Sequence, residues 1–280
     1  MKLHYVEYTL ADTQKRLAYW SAGSEQSQSV VLCVHGLLRH SRDFDELVAA
    51  LSQSHYVIAV DLPGRGLSDW FDEPADYQPQ AYLEALGPLL AQFEGRRLNW
   101  VGTSLGGLIG MALAAGADTP ISRLVINDIG AELPIEALRR IASYIDAPRF
   151  SDLAEVESYL RLNYPSYAAL DDRQWQRLAA YGSRPLAQGG YALHYDPRIA
   201  DNTRAAAAGE KIELWDIWQS IKQPCLLVHG LESDLLTPTI CSRMQGIKPD
   251  MSCLEIAGVG HAPPLMTPLE VNAIVSFLQG

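Results

Sequence analysis

Residues 98–107 read LNWVGTSLGG, a short apolar run that ends in a serine flanked by glycines. Residues 105–116 are small and apolar, which favours a tightly packed helix after the serine. A G-x-S-x-G pattern between a strand and a helix is typical of a sharp, strained turn whose neighbouring residues must be small. The side chain of Ser104 should then project above the carboxyl edge of a sheet, beside the positive end of a helix dipole. A glycine-rich turn without chemistry is the alternative interpretation.

Short apolar runs and longer helical stretches alternate on both sides of this unit. The run 29–36, SVVLCVHG, is apolar at successive positions, which suits a strand buried on both faces of a sheet. We expect strands at 3–8, 16–20, 29–36, 55–64, 98–101, 123–128, 224–230 and 252–258. We expect helices at 43–52, 78–93, 105–116, 237–246 and 267–279. This alternation predicts an α/β fold with a doubly wound, mostly parallel sheet.

The pattern changes between residues 131 and 215, where no clear buried strand is found. Helical stretches at 134–146, 152–163 and 171–181 carry many aromatic side chains. A segment of this length is too long for an ordinary connection between two elements. We therefore expect an inserted helical subdomain at 131–215, in a core formed by residues 1–130 and 216–280. Its aromatic residues suggest an apolar or aromatic pocket for a small-molecule substrate.

The composition excludes several classes of partner. The chain of 280 residues has 33 acidic and 22 basic side chains and a formal net charge of −11. Such a chain repels nucleic-acid phosphates and anionic membrane surfaces, so we expect neither as a partner. No window approaches the ~20 apolar residues of a transmembrane helix, and Glu7 and Asp12 interrupt any secretory signal. The four cysteines form no C-x-x-C pair, so we expect a reduced, cytoplasmic protein without a metal site.

A serine nucleophile needs a base, and His261 is the candidate. It lies in the stretch 257–263, AGVGHAP, directly after the last expected strand, and so at the same sheet edge as Ser104. The glycines before it and the prolines after it indicate a fixed loop. We therefore predict His261 as the general base, with a plain surface histidine as the alternative.

The third member of a triad with Ser104 and His261 should be a carboxylate that holds the imidazole in one tautomer. Asp234 follows the strand expected at 224–230, and the chain order Ser, Asp, His favours it. Asp128, just past the strand that ends near residue 127, is the rival, and Glu232 is a weaker option. We predict Asp234 and leave Asp128 open.

An oxyanion formed at the serine needs two backbone N–H donors. The residue after the nucleophile, Leu105, should supply one donor. The loop after the strand 29–34 should supply the other, and we predict Leu37 for this role. His35 and Gly36 are interpreted as residues that shape the turn.

Five stretches together resemble the α/β-hydrolase superfamily over nearly the whole chain. They are HGLL at 35–38, DLPGRGLSD at 61–69, GTSLGG at 102–107, HGLESDLLTP at 229–238 and GVGHAPPL at 258–265. The chain is similar to capped hydrolases, which include carboxylesterases, enol-lactonases and meta-cleavage-product hydrolases. The resemblance implies a helical cap at the carboxyl edge, and the roles given above for Ser104, Asp234, His261, Leu37 and Leu105. Serine at 104 departs from the haloalkane dehalogenases and epoxide hydrolases, which carry aspartate there.

The expected function is that of a serine hydrolase without a cofactor, which cleaves a small or medium ester or lactone through an acyl-enzyme on Ser104. A C–C bond hydrolase of meta-cleavage products is one alternative. A homologue that binds a small ligand without turnover is the other.

Overall fold

The computed structural model describes residues 1–280. The strands, in chain order, are β1 (Lys2–Leu10), β2 (Thr13–Ala22), β3 (Ser29–Val34), β4 (Tyr56–Val60), β5 (Arg97–Thr103), β6 (Ile121–Asn127), β7 (Glu132–Leu133), β8 (Arg149–Phe150), β9 (Ser183–Pro185), β10 (Tyr191–Leu193), β11 (Ile212–Glu213), β12 (Cys225–Gly230) and β13 (Ser252–Ile256). The α-helices are α1 (Asp45–Leu51), α2 (Pro79–Ala91), α3 (Leu105–Ala114), α4 (Ile135–Tyr144), α5 (Leu153–Asn163), α6 (Asp172–Tyr181), α7 (Ile199–Ala207), α8 (Trp215–Ser220), α9 (Pro238–Ile247) and α10 (Pro268–Gln279).

Eight of the strands form one sheet in the order β1-β2-β4-β3-β5-β6-β12-β13. The first two strands form an antiparallel hairpin, and β2 pairs antiparallel with β4. All pairs from β4 to β13 are parallel. The predicted fold class, a doubly wound and mostly parallel sheet, is confirmed. Every strand expected in the core is present, with its ends shifted by a few residues.

Both faces of the sheet are covered, which explains the continuous apolar runs in its central strands. Val31 and Cys33 of β3 belong to a core cluster that includes side chains of α1 and α10. Their neighbours Val30 and Leu32 belong to a larger cluster on the other face, with α2, α3, α8 and α9. All four cysteines are free thiols, and Cys33 is fully buried in this packing. No helix combines the length and the apolar character needed to cross a membrane.

Residues 131–215, here called the insert, contain α4 to α7 and two small sheets. The three predicted helices correspond to α4, α5 and α6. The alanine-rich stretch 205–209, interpreted from the sequence as a helix end or a hinge, overlaps the end of α7. The sequence pattern did not indicate the rest of α7 or the two sheets, which have the strand orders β8-β10-β9 and β11-β7. Strands of two or three residues are too short to show an alternating pattern. The insert is tied to the core by polar contacts, such as Tyr77 Oη to Asp196 Oδ2 at 2.6 Å. Whether 131–215 is a separate cap subdomain stays a prediction.

The unit β5–α3 is packed unusually closely. Trp100 of β5 is fully buried, and its Nε1 donates to the carbonyl of Gly106 at 2.9 Å. Gly110 of α3 lies against the same indole, because a Cβ there would be 2.4 Å from Trp100 Nε1 and 2.6 Å from Cδ1. A rigid buried ring cannot retreat from such a contact, so the helix can approach the sheet only with glycine at this position.

We expect Gly110→Ala to lower the free energy of unfolding by about 1–3 kcal/mol, because the added methyl group overpacks the core. Gly246→Ala is the matched control, since Gly246 also lies within a helix and a Cβ there meets nothing within 4 Å. Helix propensity alone should raise the stability of that variant by up to about 1 kcal/mol. Equilibrium unfolding in urea measures both values. Equal effects of the two substitutions would contradict the packing argument.

Candidate active site

Ser104 lies at the turn between β5 and α3, as the sequence predicts. Its backbone has φ 51° and ψ −112°, in a region that non-glycine residues seldom occupy. The two glycines of the motif permit the turn. A Cβ at Gly102 would lie 2.3 Å from Gly106 O, and a Cβ at Gly106 would lie 2.0 Å from Val34 O. The strained serine is thus held by backbone that has no room for other side chains.

Ser104, His261 and Asp128 form a continuous hydrogen-bonded chain. His261 Nε2 is 3.0 Å from Ser104 Oγ, and His261 Nδ1 is 2.9 Å from Asp128 Oδ2. Asp128 is completely buried, whereas the imidazole is 10% exposed. A carboxylate can only accept, so Nδ1–H donates to Asp128 and the lone pair of Nε2 faces the serine hydroxyl. This is the arrangement that a general base requires.

The structure corrects the predicted Asp234, because Asp128 is the carboxylate that contacts His261. Asp234 pairs instead with Arg140 of the insert, whose Nη2 donates to Asp234 Oδ1 at 2.7 Å. The side chain of Asp234 is 47% exposed. Burial alone would raise its pKa, but the hydrogen bonds and charge of Arg140 hold the pKa below its usual range. Glu232 is exposed on the same loop and does not reach the imidazole either.

The strand order explains why Asp128, and not Asp234, contacts His261. Asp128 directly follows β6, which lies next to β5 in the sheet, so its carboxylate starts one strand away from Ser104. Its backbone has a positive φ of 55°, which turns the chain at the strand end. The other carboxylate oxygen, Oδ1, accepts from Gly230 N at 2.8 Å. Both candidates satisfy the order Ser, Asp, His, so the chain order could not decide between them.

Asn127 is a positioning residue that the sequence analysis missed. Its carbonyl accepts from Ser104 N at 2.9 Å. Its Nδ2 donates to Thr103 Oγ1 at 3.1 Å and to Pro263 O at 2.9 Å. Asn127 thus joins the serine turn to the loop that carries His261. The only sequence signal is a polar residue at the end of an apolar strand, directly before Asp128.

Leu37 and Leu105, the predicted oxyanion donors, both border the cavity beside Ser104. Neither backbone N–H donates to a protein acceptor. Leu37 is held through its carbonyl, which accepts from Arg65 Nε at 2.8 Å. Arg65 is completely buried and also donates to Tyr82 Oη at 2.7 Å. The stretch DLPGRGLSD therefore supports the Leu37 loop through one buried guanidinium.

His35 holds the same loop in its neutral form. Its Nε2 accepts from Leu62 N at 2.9 Å, so Nδ1 carries the proton and donates to Gly36 O at 2.7 Å. Burial, with a smaller effect of the Arg65 charge, lowers the pKa of His35 to about 3. This geometry agrees with the turn-shaping role expected for His35.

Two cavities meet at Ser104. The larger one has a volume of about 360 Å³ and is mostly hydrophobic, with Leu105, Leu108 and Leu138 among its lining residues. The smaller one, of about 60 Å³, borders Ser104 and His261 and reaches into the insert. Its lining includes the polar side chains Arg39, Tyr144, Tyr164 and Tyr167. Ser104 therefore lies between a mostly apolar cavity and a smaller cavity that carries several polar side chains.

Known proteins resemble this chain in sequence and in fold. The alpha/beta hydrolase family model matches residues 31–274. The 3-hydroxybutyrate-oligomer hydrolase of Cupriavidus necator is 35% identical over 275 residues, which cover 95% of this chain and 93% of that protein. The structure of a protein from Rickettsia typhi is similar to this one with a TM-score of 0.92 and 28% sequence identity. The match covers 100% of this chain and 99% of that protein's chain. The crystal structure of an alpha/beta hydrolase from Novosphingobium aromaticivorans has a TM-score of 0.88 and 32% identity, with coverages of 99% and 98%.

The buried neutral His35 predicts a specific dependence of stability on pH. Between its folded pKa of about 3 and an ordinary histidine pKa of about 6.5, the unfolded chain binds a proton that the folded chain does not. Stability therefore falls as the pH drops below about 6.5. We expect His35→Asn to reduce this slope by about 1.4 kcal/mol per pH unit. Urea unfolding between pH 4 and 6 measures the slope, and an unchanged slope would contradict the argument. His40, whose pKa burial also lowers to about 3, leaves a residual slope in the variant.

Proposed function

The chain belongs to the α/β-hydrolase family, and on that premise we propose that it is a serine hydrolase that cleaves an ester through an acyl-enzyme on Ser104. The observation that carries the proposal is the hydrogen-bonded chain from Asp128 through His261 to Ser104. The carboxylate is buried, the imidazole is oriented by it, and the serine lies at the open edge of the sheet between two cavities. These features meet the geometric requirements of nucleophilic catalysis.

In the first step, His261 Nε2 takes the hydroxyl proton of Ser104 while Oγ attacks the ester carbonyl carbon. The ionised Asp128 stabilises the imidazolium that forms and keeps Nδ1 protonated. The oxyanion lies between the N–H groups of Leu37 and Leu105, at the N-terminus of α3. Each donor of this kind contributes about 3–4 kcal/mol to transition-state stabilisation.

The tetrahedral species collapses when His261 returns its proton to the alkoxide, so the alcohol leaves and the acyl group stays on Ser104. A water molecule then attacks the acyl-enzyme, with His261 again as the base. The water supplies the hydroxyl of the acid product, and the serine regains its proton. The same three side chains serve both steps, and the reaction needs no cofactor.

We propose short-chain esters, including esters of hydroxy acids, as the substrate class. The relative from Cupriavidus necator hydrolyses 3-hydroxybutyrate oligomers according to its name, and such oligomers are linked by ester bonds. The apolar cavity of about 360 Å³ is at the small end of the range for ligand pockets. It suits an acyl group of a few carbons rather than a long chain.

The first test is hydrolysis of p-nitrophenyl esters from acetate to decanoate, together with 3-hydroxybutyrate dimer and trimer. Among the p-nitrophenyl esters, we expect the highest activity on those with short acyl chains. We expect Ser104→Ala to lose activity by more than about 10³-fold. A loss below about tenfold in the folded variant would remove Ser104 as the nucleophile, because serines in such triads contribute far more.

The assignment of the acid is tested by two aspartates changed in the same way. We expect Asp128→Asn to lower kcat by about 10³–10⁴-fold, since the imidazole then loses the partner that fixes its tautomer. Asp234→Asn should stay within about threefold, because an exposed ion pair with Arg140 contributes little. Steady-state kinetics on one ester gives both values. The reverse order of effects would restore Asp234 as the catalytic acid.

A further inference from the structure

Arg39 is a buried charged residue beside the nucleophile that the mechanism does not use. It lies two positions after Leu37, is only 8% exposed, and borders the small cavity together with Ser104 and His261. A buried guanidinium needs hydrogen-bonding partners, and for Arg39 the carboxylate of Asp43 supplies them. Arg39 Nε donates to Asp43 Oδ2 at 2.6 Å, and Nη2 donates to Oδ1 at 2.7 Å.

The pairing leaves one edge of the guanidinium free. Arginine carries five N–H donors in a planar fork, and Asp43 uses the side formed by Nε and Nη2. Nη1 donates to no protein group, and it is not completely buried. The salt bridge thus orients the side chain and leaves Nη1, with the remaining proton of Nη2, available to a group in the cavity.

Two tyrosines of the insert lie close to the guanidinium of Arg39 and add hydroxyl groups to the lining of the cavity. The centre of the guanidinium lies 5.0 Å from the ring of Tyr164 and 5.9 Å from that of Tyr167. Both tyrosines border the same cavity. Their hydroxyl groups make no hydrogen bond to the protein and, like Nη1 of Arg39, are not completely buried. The cavity therefore offers several donors and no free carboxylate, which is the chemistry that recognises an anion.

We propose that Arg39 and Tyr164 form a carboxylate-binding subsite, so that the preferred substrates are esters that carry a free carboxylate a few bonds from the scissile carbonyl. This inference rests on the proposed function of Ser104. The cavity of about 60 Å³ has room for a group of carboxylate size, because a single water occupies roughly 10–15 Å³ on the same measure. The apolar part of the substrate extends into the larger cavity on the other side of the serine.

The alcohol side of the ester is the side that this geometry favours. The small cavity borders His261, which protonates the leaving alcohol, whereas the large cavity does not border it. A carboxylate on the alcohol part therefore lies near Arg39 while the acyl part occupies the apolar cavity. In an oligomer of hydroxy acids, this orientation selects the ester bond nearest the free carboxyl end.

The test compares 3-acetoxybutanoate with its neutral isostere, 3-acetoxybutanamide, by acetate release. Charge-assisted hydrogen bonds to a buried group give a ratio of kcat/KM between the two substrates of about 10–100 in favour of the carboxylate. In the double variant Arg39→Gln with Asp43→Asn, which removes both charges of the ion pair, we expect the ratio of kcat/KM for acid to amide to fall to near one. Tyr164→Phe, which keeps the ring, should lower the ratio by about three- to fivefold.

Arg140→Gln is the matched control, because Arg140 is also an arginine of the site region paired with an aspartate, but it does not border the small cavity. The ratio of kcat/KM for acid to amide in Arg140→Gln should equal that of the native enzyme. Equal cleavage of acid and amide by the native enzyme would overturn the subsite and leave the serine hydrolase intact. An equal loss of kcat/KM on the acid and on the amide in the Arg39 and Tyr164 variants would show that these residues have a structural role only. Failure of the native enzyme on every ester, p-nitrophenyl esters included, would overturn the proposed function itself.

Discussion

The close approach of α3 to the sheet is the constraint on which the site depends. Gly102, Gly106 and Gly110 lie where any Cβ would collide with backbone or with the indole of Trp100. Because these positions are glycine, the helix can start immediately after β5, and Ser104 is forced into a left-handed backbone conformation at its N-terminus. The indole then donates to the carbonyl of Gly106 and secures the turn from below. The strain at one residue is thus balanced by dense packing around it.

The parallel sheet gathers the remaining groups at the same edge. The strands β3, β5, β6 and β12 are neighbours in the sheet and all end towards Ser104. The segments that follow β3, β5 and β6 supply Leu37, Ser104 and Asp128, and the last residue of β12, Gly230, donates its N–H to Asp128. His261 arrives from the loop after β13, and Asn127 connects that loop to the serine turn. The geometry of the site therefore follows from the strand order, and hydrogen bonds between the loops hold the side chains in place.

Much of this arrangement could be predicted from the sequence, for identifiable physical reasons. Long apolar runs and helical periods define β3, β4, α2 and α3, and the glycines at the serine turn have a steric explanation that needs no structure. The carboxylate that contacts His261 was not predictable in the same way. Asp128 and Asp234 both follow strands, and both precede His261 in the chain. Only the sheet order, and the presence of Arg140 opposite Asp234, separates them.

Contacts between distant segments were equally hidden. Arg65 supports Leu37 across 28 positions of the chain, and Asn127 reaches Pro263 across 136 positions. Neither interaction has a local sequence signal, because each is defined by where two loops end in space. The short strands β7 to β11 were missed for a different reason, since two or three residues cannot display a period. The sequence thus indicates the helices and strands of the core and the turn that carries Ser104, whereas the supporting hydrogen bonds emerge only from the fold.

The charge of the whole chain and the charge at the site act at different ranges. A net charge of −11 repels anions at long range, but salt screens exposed charges beyond about 8 Å at physiological ionic strength. Arg39 acts at contact distance in a buried setting, where electrostatic interactions are stronger than in water. Buried ion pairs rarely stabilise a fold more than apolar residues of the same size. Stability alone therefore does not account for the pair of Arg39 and Asp43. The proposed subsite accounts for it, because it gives the free donors of Arg39 a role in substrate recognition.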